Sequence, residues 1–216
     1  MCHEFVVWLV ALEYKAPEQD AHFLLFDLFR VQDIWPEIPA FSDFSDDLLR
    51  AIIAEGARLT SEVIAPTNQT GDAQGAQWLD GEVIAPEAFH GAYRELAQGG
   101  WLGLSGNPEF GGQGMPKMLA CLIEEMLWSA NTSLYLYGTL TVGSTMAIDT
   151  HGTTEQKATY LPRMYAGEWS GAMALTEAHA GTDLGIMRTR AQPQVDGSYK
   201  ITGTKVFITG GEHDLV

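Results

Sequence analysis

Apolar residues recur every three or four positions through the middle of the chain, which is the spacing of helices with one buried face. The first such helix has Ser45 as its expected N-cap. Its apolar stripe consists of Leu48, Leu49, Ile52, Ile53, Leu59 and Val63. Pro66 is expected to stop the helix, and the polar stretch TNQTGDAQGAQW after it is expected to form a loop.

Four more helices are expected further along the chain. Pro86 opens one, and its end is marked by Gly99 and Gly100 in the position of a left-handed C-cap. The stretch KMLACLIEEMLWSA is apolar nearly all round, which is typical of a helix buried in the middle of a bundle. SLYLYGTLTVGSTMAIDTHG predicts another helix, and Thr153 and Gln156 have the spacing of a capping box that starts the last one.

A separate zone runs from the start of the chain to about Ala40. In it, APEQDAHFLLFDLF predicts a helix with Pro17 in its first turn, and the proline-punctuated IWPEIPAF predicts a loop. The apolar run FVVWLVAL, at residues 5–12, is too short to span a bilayer and follows no positive charge. It is therefore interpreted as a core or interface segment.

The hydrophobic period changes after Gly167. SGAMALT is a short apolar run, and MRTRAQPQ and SYKITGTKVFITG are rich in β-branched and aromatic residues, so strands are favoured. Asp196-Gly197 predicts a tight hairpin between the last two. The predicted fold class is α+β, an all-α helical domain followed by the start of an antiparallel β domain. The expected boundaries are 1–40 for an N-terminal extension, 41–167 for the helical domain and 168–216 for an incomplete β domain.

So few strands rarely make a stable sheet, and their exposed edges would invite aggregation. The chain is therefore expected to be the front part of a longer protein.

Composition and charge narrow the function classes. With 28 acidic against 12 basic residues and a net charge of -16, no cluster of Lys and Arg is available for a phosphate backbone or an anionic membrane. Neither nucleic acid nor a membrane is an expected partner. Two cysteines are too few for a disulfide framework, so a reducing, cytoplasmic location is expected. The six histidines lack metal-ligand spacing, so no metal site is expected.

Several reactive-looking features are better interpreted as structural. GLSGN lacks the final glycine and the preceding strand of a nucleophile elbow. Glu124 and Glu125 are adjacent, so on a helix they point about 100° apart and cannot flank one scissile bond. GNPEFGGQG lacks the Lys-Ser/Thr pair of a phosphate-binding P-loop.

The stretch TEAHAGTD differs because it follows an apolar run at the expected end of a strand. Thr176 and the Gly181-Thr182 turn offer a hydroxyl and backbone N–H groups around one spot, a nest that suits a pyrophosphate. Phe207 and Thr209 lie two residues apart on a later predicted strand, so both are expected on one face beside a flat heterocycle. Two interpretations stay open here, a cofactor cradle and a loop that satisfies only its own polar groups.

Several longer stretches resemble the flavin-dependent acyl-CoA dehydrogenases. GEWSGAMALTEAHAGTDLG resembles the strand-loop signature of that family, usually T-E-P-x-A-G-S-D, and DGSYKITGTKVFITGG resembles its following hairpin, usually with K-x-W-I-T-N-G. HGTTEQKATYLPRMYAGEW is similar to the helix that ends the family's N-terminal domain. YKAPEQDAHFLLFDLF and ITGGEHDL resemble the branch with an added N-terminal segment, often of long or broad chain specificity.

The resemblance implies FAD as cofactor and an α,β-dehydrogenation of acyl-CoA to trans-2-enoyl-CoA, of the fatty-acid β-oxidation type. It also implies an electron-transfer flavoprotein or similar acceptor, and a homodimer or homotetramer when the protein is complete. Carried over by position, the implied cofactor-binding residues are Met173, Leu175, Thr176, Gly181, Thr182, Phe207 and Thr209. The implied substrate-binding residues are Leu136, Gly138 and Thr182.

No catalytic residue is assigned within the chain, because the resemblance implies a glutamate beyond Val216 as the base. Glu177 is expected to be a structural part of the turn. The sequence departs from the family pattern at four positions. Thr182 replaces serine and Phe207 replaces tryptophan, while Ala178 replaces proline and His179 replaces a small residue. Two alternatives stay open, the related acyl-CoA oxidase and a non-catalytic binding or assembly homologue. These 216 residues alone are expected to be inactive.

Overall fold

The structure is a computed structural model that describes residues 13–216, so the apolar segment at residues 5–12 lies outside the described residues. The helices are α1 (Glu18–His22), α2 (Val31–Ile34), α3 (Asp46–Arg58), α4 (Pro66–Gln74), α5 (Glu87–Gln98), α6 (Lys117–Ala130), α7 (Thr132–His151) and α8 (Thr154–Tyr165). The strands are β1 (Gln77–Leu79), β2 (Glu82–Ile84), β3 (Arg190–Pro193) and β4 (Tyr199–Thr202). A helical part followed by antiparallel strands confirms the predicted fold class.

Helix α3 begins where the sequence predicts, because the Ser45 side chain accepts a hydrogen bond from the Leu48 N–H at 3.2 Å. Its end does not. The chain continues through a π-helical stretch, Leu59–Ile64, and then into α4. The prediction that Pro66 stops the helix and opens a loop is therefore wrong. Proline is tolerated in the first turn of a new helical segment, where its missing N–H leaves no bond unmade.

The first zone is also more helical than predicted. Pro17 is the N-cap of α1, one residue before the first turn in which it was predicted, and a π-helical stretch, Phe23–Leu28, follows α1 directly. The predicted loop IWPEIPAF contains the end of α2 and a 3₁₀ helix, Trp35–Glu37. Trp35 is buried against the core, so tertiary packing outweighs the two prolines there.

The ends of α5 and α8 follow local sequence signals. Gly100, directly after the C-cap of α5, has a left-handed φ of 73°. At the start of α8 the Thr153 side chain accepts from the Gln156 N–H at 3.2 Å, while the Gln156 side chain accepts from the Thr153 N–H at 2.8 Å. This reciprocal pair confirms the predicted capping box.

The hydrophobic core lies between α3, α5, α6 and the first half of α7, and side chains from residues 16–35 pack into it. Its largest fully buried side chains are Leu25, Leu49, Ile53, Leu59, Ile64, Phe89, Tyr93, Leu96, Leu119, Ile123, Met126 and Leu127. Helix α6 buries only one face, however, since Met118 is 42% exposed and Cys121 is also at the surface. The prediction of a helix buried all round is therefore wrong for α6. No helix of residues 13–216 is long and apolar enough to cross a membrane.

Two antiparallel hairpins are formed. The hairpin β1–β2 was not predicted, although its turn residues Asp80 and Gly81 have the positive φ values of 51° and 97° that an Asp-Gly turn supplies. The hairpin β3–β4 pairs Arg190 with Thr202 and confirms the predicted hairpin around Asp196-Gly197. Gly197 takes the left-handed position in its loop, at a φ of 83°.

The two other predicted strand segments are not strands. SGAMALT and the chain after Thr202 have irregular backbone. They are joined by a backbone hydrogen bond from Val206 N–H to Thr176 C=O at 2.9 Å. A strand requires a ladder of such bonds. Among the described residues, no neighbouring strand pairs with either segment, so this single bond is not extended into a ladder.

Candidate functional site

The loop of residues 174–185 is built around the side chain of Glu177, which is only 3% exposed. One carboxylate oxygen accepts from the Arg188 N–H at 2.8 Å, and the other accepts from the Thr189 N–H at 2.9 Å. The ammonium of Lys205 lies 3.0 Å from the same carboxylate. A buried charge that is paired and fully hydrogen-bonded in this way fixes the shape of the loop.

These contacts hold the pKa of Glu177 well below its usual range, through the Thr189 side chain first and then the two backbone N–H groups and Lys205. A carboxylate stabilised in its charged form is a poor proton acceptor. His179, 37% exposed, lies 3.4 Å from the carboxylate at the surface. These contacts make Glu177 a structural part of the turn. The position of the base stays a prediction.

Lys205 also connects the loop to the chain that follows β4. Its ammonium donates to the Leu175 carbonyl at 2.7 Å, next to the bond between Val206 and Thr176. The two halves of the predicted cofactor cradle are therefore adjacent in space. One half contains residues 173–182 and the other contains residues 207–209.

The predicted cofactor-binding residues form an open face. Met173 is 62% exposed and Phe207 is 88% exposed, while Gly181 and Thr182 are also exposed. Leu175 and Thr176 lie at the edge of this face, and both carbonyls are held by the chain after β4.

The strand geometry expected at Phe207 is not formed. Its φ of 58° is left-handed, which no strand residue adopts, so alternation along a strand does not place Phe207 and Thr209 on one face. That part of the prediction is wrong. Their assignment as flavin contacts stays a prediction.

A cavity of about 310 Å³ opens beside the second half of the cradle. It is lined by Gly71, Asp72, Gly75, Ala76, Pro86, Phe89, Ser133, Leu136, Tyr137, Thr209 and Gly210. The cavity brings together Leu136, a predicted substrate contact, and Thr209, a predicted cofactor contact. Its lining is mainly apolar with a few hydroxyls, which is the usual character of a small-molecule site.

Gly138, the other predicted substrate residue on α7, lies away from this cavity. It is buried, and an added Cβ would stand 2.9 Å from a methyl group of Leu102. Its position allows close packing of α7 against the turn that contains Leu102. The exposed Thr182 does not line the cavity either.

Sequence reasoning missed several cavity residues. Gly71 and Asp72 were assigned to a loop, although they belong to α4. Gly71 has no side chain to displace the ring of Phe89, since an added Cβ would overlap that ring. Phe89 and Tyr137 carried an apolar signal that is equally typical of core residues, so no local pattern marked them as cavity walls.

Residues 209–215, called the strap below, run from the cavity across the helical part. The Asp214 carboxylate accepts from the Ala85 N–H at 2.8 Å and lies 3.4 Å from the His90 ring. The His213 ring meets Tyr137 edge-on, with 5.0 Å between ring centroids. Burial lowers the pKa of His213, and the nearby Asp214 charge opposes that shift.

Comparison with known proteins adds an independent line of evidence. The profile described as "Acyl-CoA dehydrogenase, N-terminal domain" matches residues 49–168. The 3-methylmercaptopropionyl-CoA dehydrogenase of Ruegeria pomeroyi is 41% identical over 207 residues, covering 94% of this chain and 34% of that protein. The chain spans about a third of the length of the curated relatives it matches.

Solved structures agree with this match. The butyryl-CoA dehydrogenase of Megasphaera elsdenii superimposes with a TM-score of 0.65 at 27% identity, covering 78% of this chain and 43% of that one. An acyl-CoA dehydrogenase of Bacillus anthracis, complexed with FAD, has a TM-score of 0.63 at 26% identity and covers 77% and 27%.

Proposed function

Because the chain belongs to the acyl-CoA dehydrogenase family, we propose that it supplies part of the flavin and substrate site of an FAD-dependent acyl-CoA dehydrogenase. The reaction would convert a saturated acyl-CoA into its trans-2-enoyl-CoA. The observation that carries the proposal is that the open face, residues 173–182 and 207–209, adjoins the cavity, and that Thr209 belongs to both.

The residues of the open face suit FAD. A Cβ added at Gly181 would meet no atom within 4 Å, so the turn leaves space beside its backbone for a bulky group. Thr182 adds a hydroxyl at the same turn, which favours a phosphate contact, and Thr176 would hydrogen-bond the pyrimidine edge of the flavin. The exposed Met173, Leu175 and Phe207 would contact the ring system.

FAD, when bound, supplies the acceptor for the hydride that leaves the β-carbon of the thioester. The protein's own contribution is to orient the acyl group and to exclude water from it. Leu136, Phe89 and Tyr137 would surround the acyl chain with apolar surface. The α-proton requires a base, and the charged, enclosed Glu177 does not suit this role. The resemblance to the family implies a glutamate beyond Val216 for it.

Absorption spectroscopy of the complete gene product tests the proposal. We expect a yellow protein whose flavin band is bleached on anaerobic addition of an acyl-CoA. A colourless protein, or a flavin that no acyl-CoA bleaches, would contradict it.

The electron acceptor is part of the same proposal. We infer that the acceptor is an electron-transfer flavoprotein. We also infer that the complete protein is a cytoplasmic homo-oligomer and belongs to the branch with an N-terminal extension. Stoichiometric hydrogen peroxide during turnover in air would instead identify an acyl-CoA oxidase. An absence of turnover with bound FAD would favour a binding or assembly role.

A further inference from the structure

We infer that Asp214 is a positioning residue that sets the width of the cavity by fastening the strap to the rim of α5. The inference rests on the proposed function only for the identity of the ligand in the cavity. The fastening itself follows from contacts made by residues that lie outside the predicted cofactor and substrate sets.

Asp214 joins parts of the chain that are distant in sequence. Its Oδ1 accepts from the Ala85 N–H at 2.8 Å, and Ala85 directly precedes Pro86, a residue of the cavity lining. Its Oδ2 lies 3.4 Å from Nε2 of His90, which directly follows the cavity residue Phe89 in α5. One carboxylate thus contacts both the segment that leads into α5, at Ala85, and α5 itself, at His90.

The other end of the strap forms the opposite wall. Thr209 and Gly210 line the cavity, and the Gly210 backbone lies against Tyr137, since an added Cβ would stand 3.6 Å from that ring. Gly210 has a left-handed φ of 57°, which allows the chain to turn at this point. Only three residues separate Gly210 from Asp214, a span of at most roughly 14 Å, so the anchored carboxylate restrains where this wall can lie.

His213 strengthens the connection. Its ring stands edge-on to Tyr137 at 5.0 Å and is tilted against Tyr93 at 6.4 Å. Tyr137 is itself a cavity residue, so the strap contacts the cavity lining from outside as well as contributing to it. Leu215 completes the attachment by packing against the hydrophobic core.

The hairpin β1–β2 belongs to the same assembly. It leaves the cavity rim after Ala76 and returns to it at Ala85, whose N–H is the one that Asp214 accepts. The bond to Asp214 therefore fixes the foot of the hairpin as well as the strap. Loss of this carboxylate would release two sides of the rim together.

The test uses the complete gene product with its FAD and two probes, butyryl-CoA and octanoyl-CoA. Asp214→Ala removes the acceptor for Ala85 and the contact with His90, whereas Asp214→Asn keeps an acceptor. We expect Asp214→Ala to raise the KM for at least one probe by about tenfold with kcat changed by less than about twofold, and Asp214→Asn to have a smaller effect. Glu212→Ala removes an exposed acid from the same strap and is the matched control, expected to behave as the parent protein.

Hydrogen exchange supplies a readout that does not depend on turnover. In Asp214→Ala we expect faster exchange at Ala85 and throughout the strap. Unchanged exchange would overturn the fastening, and faster exchange with unchanged KM would overturn the effect on the cavity. If the parent protein turns over no acyl-CoA, the proposed function fails, while exchange still decides whether Asp214 fastens the strap. Should Asp214→Ala not fold, Asp214→Asn and His90→Ala allow the same two measurements.

Discussion

At the scale of single residues, Gly71 and Glu177 show how one position shapes each half of the site. Gly71 lets the Phe89 ring lie directly on the backbone of α4, and this contact sets the position of one cavity wall. Glu177 collects two backbone N–H groups and Lys205, and these contacts set the shape of the loop beneath the open face. Neither residue takes part in the proposed chemistry, so substitutions at both are expected to act through structure.

Gly71→Ala is expected to destabilise the protein by about 1–3 kcal/mol, because the added methyl group overlaps the Phe89 ring and the core must shift to admit it. Urea unfolding measures this change. The control is Gly91→Ala, on α5, where an added Cβ meets no atom within 4 Å. That control should be neutral or stabilising by about 0.5–1 kcal/mol, since alanine favours a helix over glycine. Equal effects of the two substitutions would contradict the close contact.

Glu177→Gln is expected to lower the melting temperature at pH 7, because the amide keeps the shape but loses the charge that Lys205 and the N–H groups stabilise. The folded pKa of Glu177 is depressed below the ordinary value of 4.5. Its stabilisation is therefore complete above that value and is lost as the pH falls through the folded pKa. Melting curves from pH 7 down to pH 4 and below should show the gap between parent and variant narrowing. A gap that widens in acid would rule out this role.

At the scale of elements, helix ends follow local chemistry and helix lengths do not. The caps at Ser45 and Thr153 depend on side chains within three residues of the bonds they make, so sequence alone finds them. The helix that continues past Pro66 buries Thr67 and Gly71. Neither residue is a large apolar one, so the local pattern predicted a loop there.

Thr153→Ala is expected to cost about 0.5–2 kcal/mol, because it leaves the Gln156 N–H without its capping acceptor. Denaturant unfolding measures the loss. Thr154→Ala, one residue into α8 and exposed, is the matched control and should be close to neutral. A Thr153→Ala variant as stable as the control would show that the capping box contributes nothing.

At the scale of the whole molecule, the proposed site is one-sided. The open face and the cavity are both bordered by the chain around Thr209, yet Met173 and Phe207 point into solvent over most of their surface. A cofactor bound to such a face would lose little of its contact with water. Tight binding requires that most of a ligand's surface be covered.

The 216-residue chain by itself is therefore expected to retain FAD at well below one equivalent and to show no turnover with acyl-CoA. Gel filtration in the presence of FAD, followed by absorption spectroscopy of the protein peak, measures the retained flavin. The complete gene product is the comparison sample. Stoichiometric flavin on the 216-residue chain would contradict the one-sided site.

The sequence predicted the helical part and the hairpin β3–β4, because periodicity, caps and turn residues act over a few positions. The structural role of Glu177 was implied by the family resemblance alone. It did not predict the irregular backbone at Phe207. Strand formation there depends on neighbouring strands, and side-chain pattern alone does not supply them. The overlooked hairpin β1–β2 is different, since the Asp80-Gly81 turn was readable in the sequence.

What the sequence by itself determined is thus the family, the order of the main helices α3 and α5 to α8, and the hairpin β3–β4. Only the tertiary structure decided that Phe89, Tyr137 and Gly210 enclose one cavity, and that Asp214 bonds to Ala85, 129 positions earlier. The physical reason is the distance along the chain over which each interaction acts. Caps, turns and helical periodicity act between near neighbours, whereas a cavity exists only after packing has brought distant segments of the chain together.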